Sequence, residues 1–205
     1  MADDYKIKAV TNKIIERLYN NGNLDKATLA TLRGTSQFTS PKAQKAWPII
    51  INYLPNSYLS KNGNPTAAET AIYATIRFYA IFQQGQDKFV SVNKENSQTG
   101  VSFFRALARL RQDEKLKQAL DRRVQALLAT TNVNSVINSL VHLVEILKSN
   151  DNKALEIDFP LLAQDLYKFQ WNYHCANEVR LAWGEDYFNQ NDINVINNKD
   201  VSEGK

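Results

Sequence analysis

A chain of 205 residues, with 43% apolar and 22% charged side chains, has the make-up of a globular protein large enough for one core or two small ones. No apolar run approaches the ~20 residues of a membrane span, and the acidic start MADDYKIKAV lacks the apolar segment of a secretory signal. The single cysteine, Cys175, excludes an internal disulfide and fits a reducing cytoplasm.

Taken in chain order, helical spacing dominates. Ile7, Val10, Ile14, Ile15 and Leu18 recur at three and four residues over Tyr5–Tyr19, and Gly22 stops the pattern. A short helix is predicted over Asp25–Leu32, closed by Gly34, and Pro41 opens another that ends before Pro55. The stretch TAAE, Thr66–Glu69, is a capping box, in which the threonine hydroxyl and the glutamate carboxylate satisfy each other's helix-start amides. It introduces a helix to Gln84 with Ile72, Ile76, Tyr79 and Ala80 as its inner face. Gln84–Gly100 is polar and asparagine-rich, which marks a surface loop.

Three helices are then predicted over Ser102–Arg111, Glu114–Ala129 and Asn134–Ser149, the last with Val136, Leu140, Leu143 and Leu147 as one stripe. Asp158 caps a further helix that runs to Phe188 with a bend near Trp171. The tail from Asn189 is too polar to pack and is expected to be disordered. No strand-period segment stands out. The expected fold is therefore all-α, with about eight helices in two packed bundles: an N-terminal lobe over 1–88, a loop over 89–100, a C-terminal lobe over 101–188 and a tail over 189–205.

Catalysis finds little support. His174 and Cys175 are neighbours on a helix, about 100° apart, so they do not face each other as base and nucleophile. With His142 they read as partly buried packing residues, and two histidines and one cysteine without ligand-like spacing predict no metal site. Gly63, Gly85 and Gly100 stand alone, so no phosphate-cradling loop is present, and no cofactor is expected.

The net charge is only +4, but it is unevenly spread. Val101–Thr130 holds seven bases against three acids, and a smaller excess lies in Asn23–Pro48 with Lys26, Arg33, Lys42 and Lys45 against Asp25. On a helical wheel Arg105 and Arg109 are about 40° apart, opposite Phe103, Leu107 and Leu110. They are expected side by side on a solvent face with no local acid to neutralise them. Arg111 falls at the helix end, where a cation also suits the dipole. Arginine suits bidentate phosphate contact. Without a known base-reading motif, phosphate contacts would dominate and sequence readout would be poor.

The segments TGVSFFRALARLR and IDFPLLAQDLYKFQ, followed by VRLAWGEDYF with Arg180 and Trp183, carry the patterns GxSxxRALA and IDxxLLxxDL. With TLRG at Thr31–Gly34 and AIYATIRFYAIFQQG, their order over about Asn23–Phe188 resembles the CasB family, the small subunit of the type I-E Cascade CRISPR surveillance complex. The resemblance implies a two-lobed helical protein with no catalytic activity. It implies as partners the backbone and large subunits, a second copy of the chain, guide RNA, and target DNA including its displaced strand. Carried over by position, Arg33, Arg105, Arg109, Arg122 and Arg123 are the implied nucleic-acid contacts, with Lys42, Lys45, Arg111 and Arg180 as second choices. Two positions depart from the family pattern: a lone Arg33 stands where paired arginines are common, and Val141 and His142 occupy a helix centre that is often basic. The alternatives are a free-standing helical regulator that binds RNA or DNA, and a scaffold whose basic face meets an acidic protein.

Overall fold

The computed structural model describes residues 2–92, 100–150 and 155–189. Within them lie nine α-helices: α1 (Ala2–Tyr19), α2 (Lys26–Arg33), α3 (Trp47–Ile51), α4 (Ala67–Gln83), α5 (Phe103–Leu110), α6 (Glu114–Leu128), α7 (Val133–Asn150), α8 (Phe159–Phe169) and α9 (Tyr173–Phe188). The fold is all-α. The tail expected to be disordered lies, after Asn189, outside the described residues.

Most helix starts are set by short polar side chains. Asp25, Ser102, Asp113, Asp158 and Asn172 each accept a hydrogen bond from a first-turn amide, and Thr66 and Glu69 form the reciprocal capping box. The cap at Asn172 divides what the sequence suggested was one bent helix into α8 and α9. Its side chain accepts from the Cys175 amide at 2.9 Å and starts a new helix rather than continuing the old one. The segment after Pro41 also differs from expectation: a 3-10 turn over Ala43–Ala46 precedes the single-turn α3.

Helix α4 is the centre of the molecule. Almost every side chain from Ala68 to Gln83 is buried, among them Tyr79, Phe78 and Phe82, where the sequence pointed to a single inner face. Burying each large apolar side chain contributes roughly 1.5–3 kcal/mol. Around α4 pack α1, α2, α7 and α8, and Phe159 of α8 meets the rings of Tyr79 and Phe82 edge-on. Packing thus joins the two halves of the chain, since α8 from the second half lies against α1 and α4 from the first.

The remaining helices build outward from α8 and α9. Trp183 stacks between Phe104 and Phe169, with ring centroids 4.9 and 6.0 Å away, joining α9 to α5 and α8. A small backbone knot closes the loop region. Ile157 pairs with Ser91 on one side and Val101 on the other, through Ile157 N–Val90 O (2.9 Å) and Asp158 N–Val101 O (2.9 Å). This knot sets the start of α5, and hence the placement of its arginines. No helix among the described residues is long and apolar enough to cross a membrane.

Candidate nucleic-acid interface

Arg105 of α5 and Arg111 at its end have partners that the sequence did not reveal. Arg105 Nε lies 2.7 Å from Asp186 Oδ1 on α9, and Ser102, the cap of α5, donates to the same carboxylate through its hydroxyl at 2.5 Å. Arg111 forms a two-point contact with Asp121 of α6, Nε–Oδ1 at 2.8 Å and Nη2–Oδ2 at 3.4 Å. Its guanidinium also lies over the rings of Tyr187 and Phe188. Burial works against ionisation of Asp121, but hydrogen bonds from Arg111 and Tyr187 hold its carboxyl below the usual range. The expectation that this segment lacks neutralising carboxylates is therefore corrected: they arrive from α9 and α6, 81 and 10 residues along the chain.

The other arginines divide by exposure. Arg109 is half-buried, with Nε enclosed and unbonded within the described residues. Arg180 donates to the Leu128 carbonyl at 2.9 Å and to Asn177, tying α9 to the end of α6. Arg122 and Arg123 are exposed on α6 and, among the described residues, reach back to carbonyls of their own helix. Lys42 and Lys45 are exposed on the 3-10 segment. Both histidines, expected to be partly buried, are exposed, because each lies on the outer face of its helix beside a glutamate.

A second basic group assembles around the C-terminal half of α4. Arg33 of α2 donates to the Ala80 carbonyl at 3.4 Å, and Lys148 of α7 donates to Gln84 Oε1 at 3.2 Å. The last carbonyls of a helix carry partial negative charge, so this end of α4 attracts cations from both neighbouring helices. The proximity leaves an electrostatic mark. Burial and then the charge of Arg33 push the Lys148 ammonium below its ordinary pKa, partly offset by Glu145. Arg77 of α4 shares Glu145 with Lys148; burial lowers its pKa, and Tyr73 and Glu145 offset part of that.

Glu145 faces two ways. It also lines an open groove of about 760 Å³ between α6 and α7, which it shares with Arg123 and His142. The groove and the cations beside α4 thus meet at one carboxylate. Arg77 and Lys148 were not singled out from the sequence. Each sits in an apolar helix pattern whose partners become neighbours only on folding. The lone signal was Arg77 itself, a cation inside the otherwise uncharged run AIYATIRFYAIF.

Fold and surface together define an all-helical protein that holds like charges from α2 and α7 close to one another at one end of α4, beside an open groove. The sequence model of CRISPR-associated protein Cse2 matches residues 28–188, and the chain belongs to that family. A crystal structure of CasB from Thermobifida fusca is similar in fold, with a TM-score of 0.67 and 22% identity over 89% of this chain and 97% of that one. A chain of a CRISPR RNA-guided surveillance complex is similar too, with a TM-score of 0.64 and 22% identity over 88% of this chain and 92% of that one. No curated protein matches.

Proposed function

We propose that this chain is the non-catalytic small subunit of a type I-E Cascade complex, and that it holds nucleic acid by phosphate contact without reading sequence. Its partners in that role are the backbone and large subunits, a second copy of itself, the guide RNA and the target DNA with its displaced strand. Membership of the Cse2 family supports the assembly. The observation that carries the binding mode is the gathering of Arg33 and Lys148 at one end of α4, close enough for one charge to depress the other's pKa. A polyanion relieves that repulsion, and exchange of a DNA duplex for a guide–target duplex is balanced closely enough for modest phosphate contacts to tip it.

Of the carried-over residues, Arg33, Arg122, Arg123, Lys42 and Lys45 are assigned to nucleic acid, together with Arg77 and Lys148. Arg105 and Arg109 are kept as further candidates, while Arg111 and Arg180 serve the fold. Fluorescence anisotropy with several unrelated single strands tests the proposal. The expected result is weak, sequence-indifferent binding by the chain alone and tighter binding by the assembled complex. A strong preference of the isolated chain for one strand would support the free-standing regulator instead.

A further inference from the structure

We propose that His174, Cys175 and Glu178, on the first turns of α9, form a three-ligand site for a zinc-type divalent transition-metal ion. His174 and Cys175 are about 100° apart on the helix, which alone would keep them from sharing an ion. Glu178 changes that geometry: three and four residues on, it falls between them, about 40° from one and 60° from the other. One ligand atom from each residue lies within 4.8 Å of the others, and His174 Nδ1 is already 3.2 Å from Glu178 Oε1. Zinc bonds of about 2.0–2.3 Å place ligand atoms roughly 3.3–3.8 Å apart, so side-chain rotation of about 1 Å completes the set.

The surroundings orient the ligand atoms. Lys168 of α8 holds the other carboxylate oxygen, with Nζ 2.7 Å from Glu178 Oε2, which leaves Oε1 turned toward His174. A ligand carboxylate fixed through its second oxygen is a usual outer-shell arrangement. Cys175 sits in the first turn of α9, one residue from His174 and one turn before Glu178. Imidazole, thiolate and carboxylate together suit zinc, with cobalt(II) as its spectroscopic substitute and water in the fourth position.

The test uses the reduced, tag-free full chain in the absence of nucleic acid, so its outcome is separate from that of the binding role proposed above. Cobalt(II) titration is expected to give one equivalent of binding, with a thiolate-to-cobalt charge-transfer band that zinc abolishes by displacement. Cys175→Ser removes the band, and His174→Ala and Glu178→Gln each weaken cobalt binding by at least about tenfold, while His142→Ala changes nothing. Zinc raises the melting temperature of the wild type and not of the triple variant. Absence of the band at saturating cobalt, or an affinity unchanged by any one of the three substitutions, would overturn the site.

Discussion

Arg105 on α5 and Asp186 on α9 are joined by a 2.7 Å contact between Nε and Oδ1, across 81 residues of sequence. Ser102 completes the relationship. Its hydroxyl oxygen accepts from the Arg105 amide at 3.3 Å, capping α5, while its proton goes to Asp186. One carboxylate therefore orients both the cap of α5 and the first arginine displayed by that helix. The Arg105 side chain is 47% exposed, so solvent screens the ion pair and most of the benefit comes from the supported cap. Asp186→Ala is expected to lower unfolding free energy by about 1–2 kcal/mol, measured by urea denaturation. A variant as stable as the wild type would show the cap to be independent of α9.

Arg111 should behave differently from the exposed arginines. Its side chain is only 11% exposed, bonded to Asp121 and stacked over two rings. Arg111→Met keeps the apolar contact but leaves Asp121 with Tyr187 as its remaining side-chain partner. The expected cost is about 2–3 kcal/mol of stability, with no change in the salt dependence of single-strand binding by the protein that remains folded. A flattened salt slope at unchanged stability would make Arg111 a phosphate contact.

Helix identity was legible because it depends on local pattern: the capping box at Thr66, the cap at Asp158 and the apolar stripe of α7 all stand as the sequence suggested. What was not legible depends on pairing between distant segments. A helical wheel shows where Arg105 points but not that Asp186 waits there, and it cannot show that Arg33 and Lys148 meet at the same end of α4. The burial of α4 on all sides was hidden for the same reason. Its polar Thr75 and Gln83 look like a solvent face until the folded chain covers them, Gln83 by bonding to Gln86, Lys88 and Val90 of the segment that follows.

Gly100 is required by close approach. A Cβ there would lie 1.7 Å from Val92 Cγ1 and 3.2 Å from Val92 Cβ, so turning the valine does not clear the space. Gly100→Ala is expected to cost about 1–3 kcal/mol by pushing apart the backbone knot around Ile157. The change should appear as faster amide exchange at Val101 and Asp158, whose amides are hydrogen-bonded across it. Protection unchanged at those amides would show that the loop accommodates the methyl elsewhere.

The two basic groups make a quantitative prediction for binding. Arg122 and Arg123 are exposed and, among the described residues, bond to carbonyls of their own helix, so reversing them leaves the core untouched. For single strands the log–log salt slope falls by about 0.7 for each phosphate that the protein no longer neutralises. The double variant Arg122→Glu, Arg123→Glu should therefore flatten the slope by about 1.4 if both touch phosphate. Arg33→Gln with Lys148→Gln should act in the same direction and remove the mutual repulsion at the end of α4. Slopes equal to wild type in both variants would move the interface elsewhere.

Asp165 should make stability depend on pH in the opposite sense to a salt-bridged acid. Its Oδ2 accepts from Trp183 Nε1 at 2.8 Å, in the seam where α8 meets α9. Burial raises its pKa to about 6, against partial relief from the Trp183 hydrogen bond and Lys8 and further pressure from Asp158 and Asp186. In the unfolded chain an aspartate titrates near 3.9. Between these values the folded state binds more protons than the unfolded state, so this group's contribution to stability is fullest below about pH 4 and declines as pH rises through about 6. The difference amounts to about 2–3 kcal/mol. Asp165→Asn keeps an acceptor for Trp183 but cannot ionise. It should therefore be more stable than wild type at pH 7.5 and close to it at pH 4. The quantity to measure is the difference in urea midpoint between variant and wild type at each pH. A difference that does not grow with pH would mean that Asp165 ionises as easily in the folded chain as in the unfolded one.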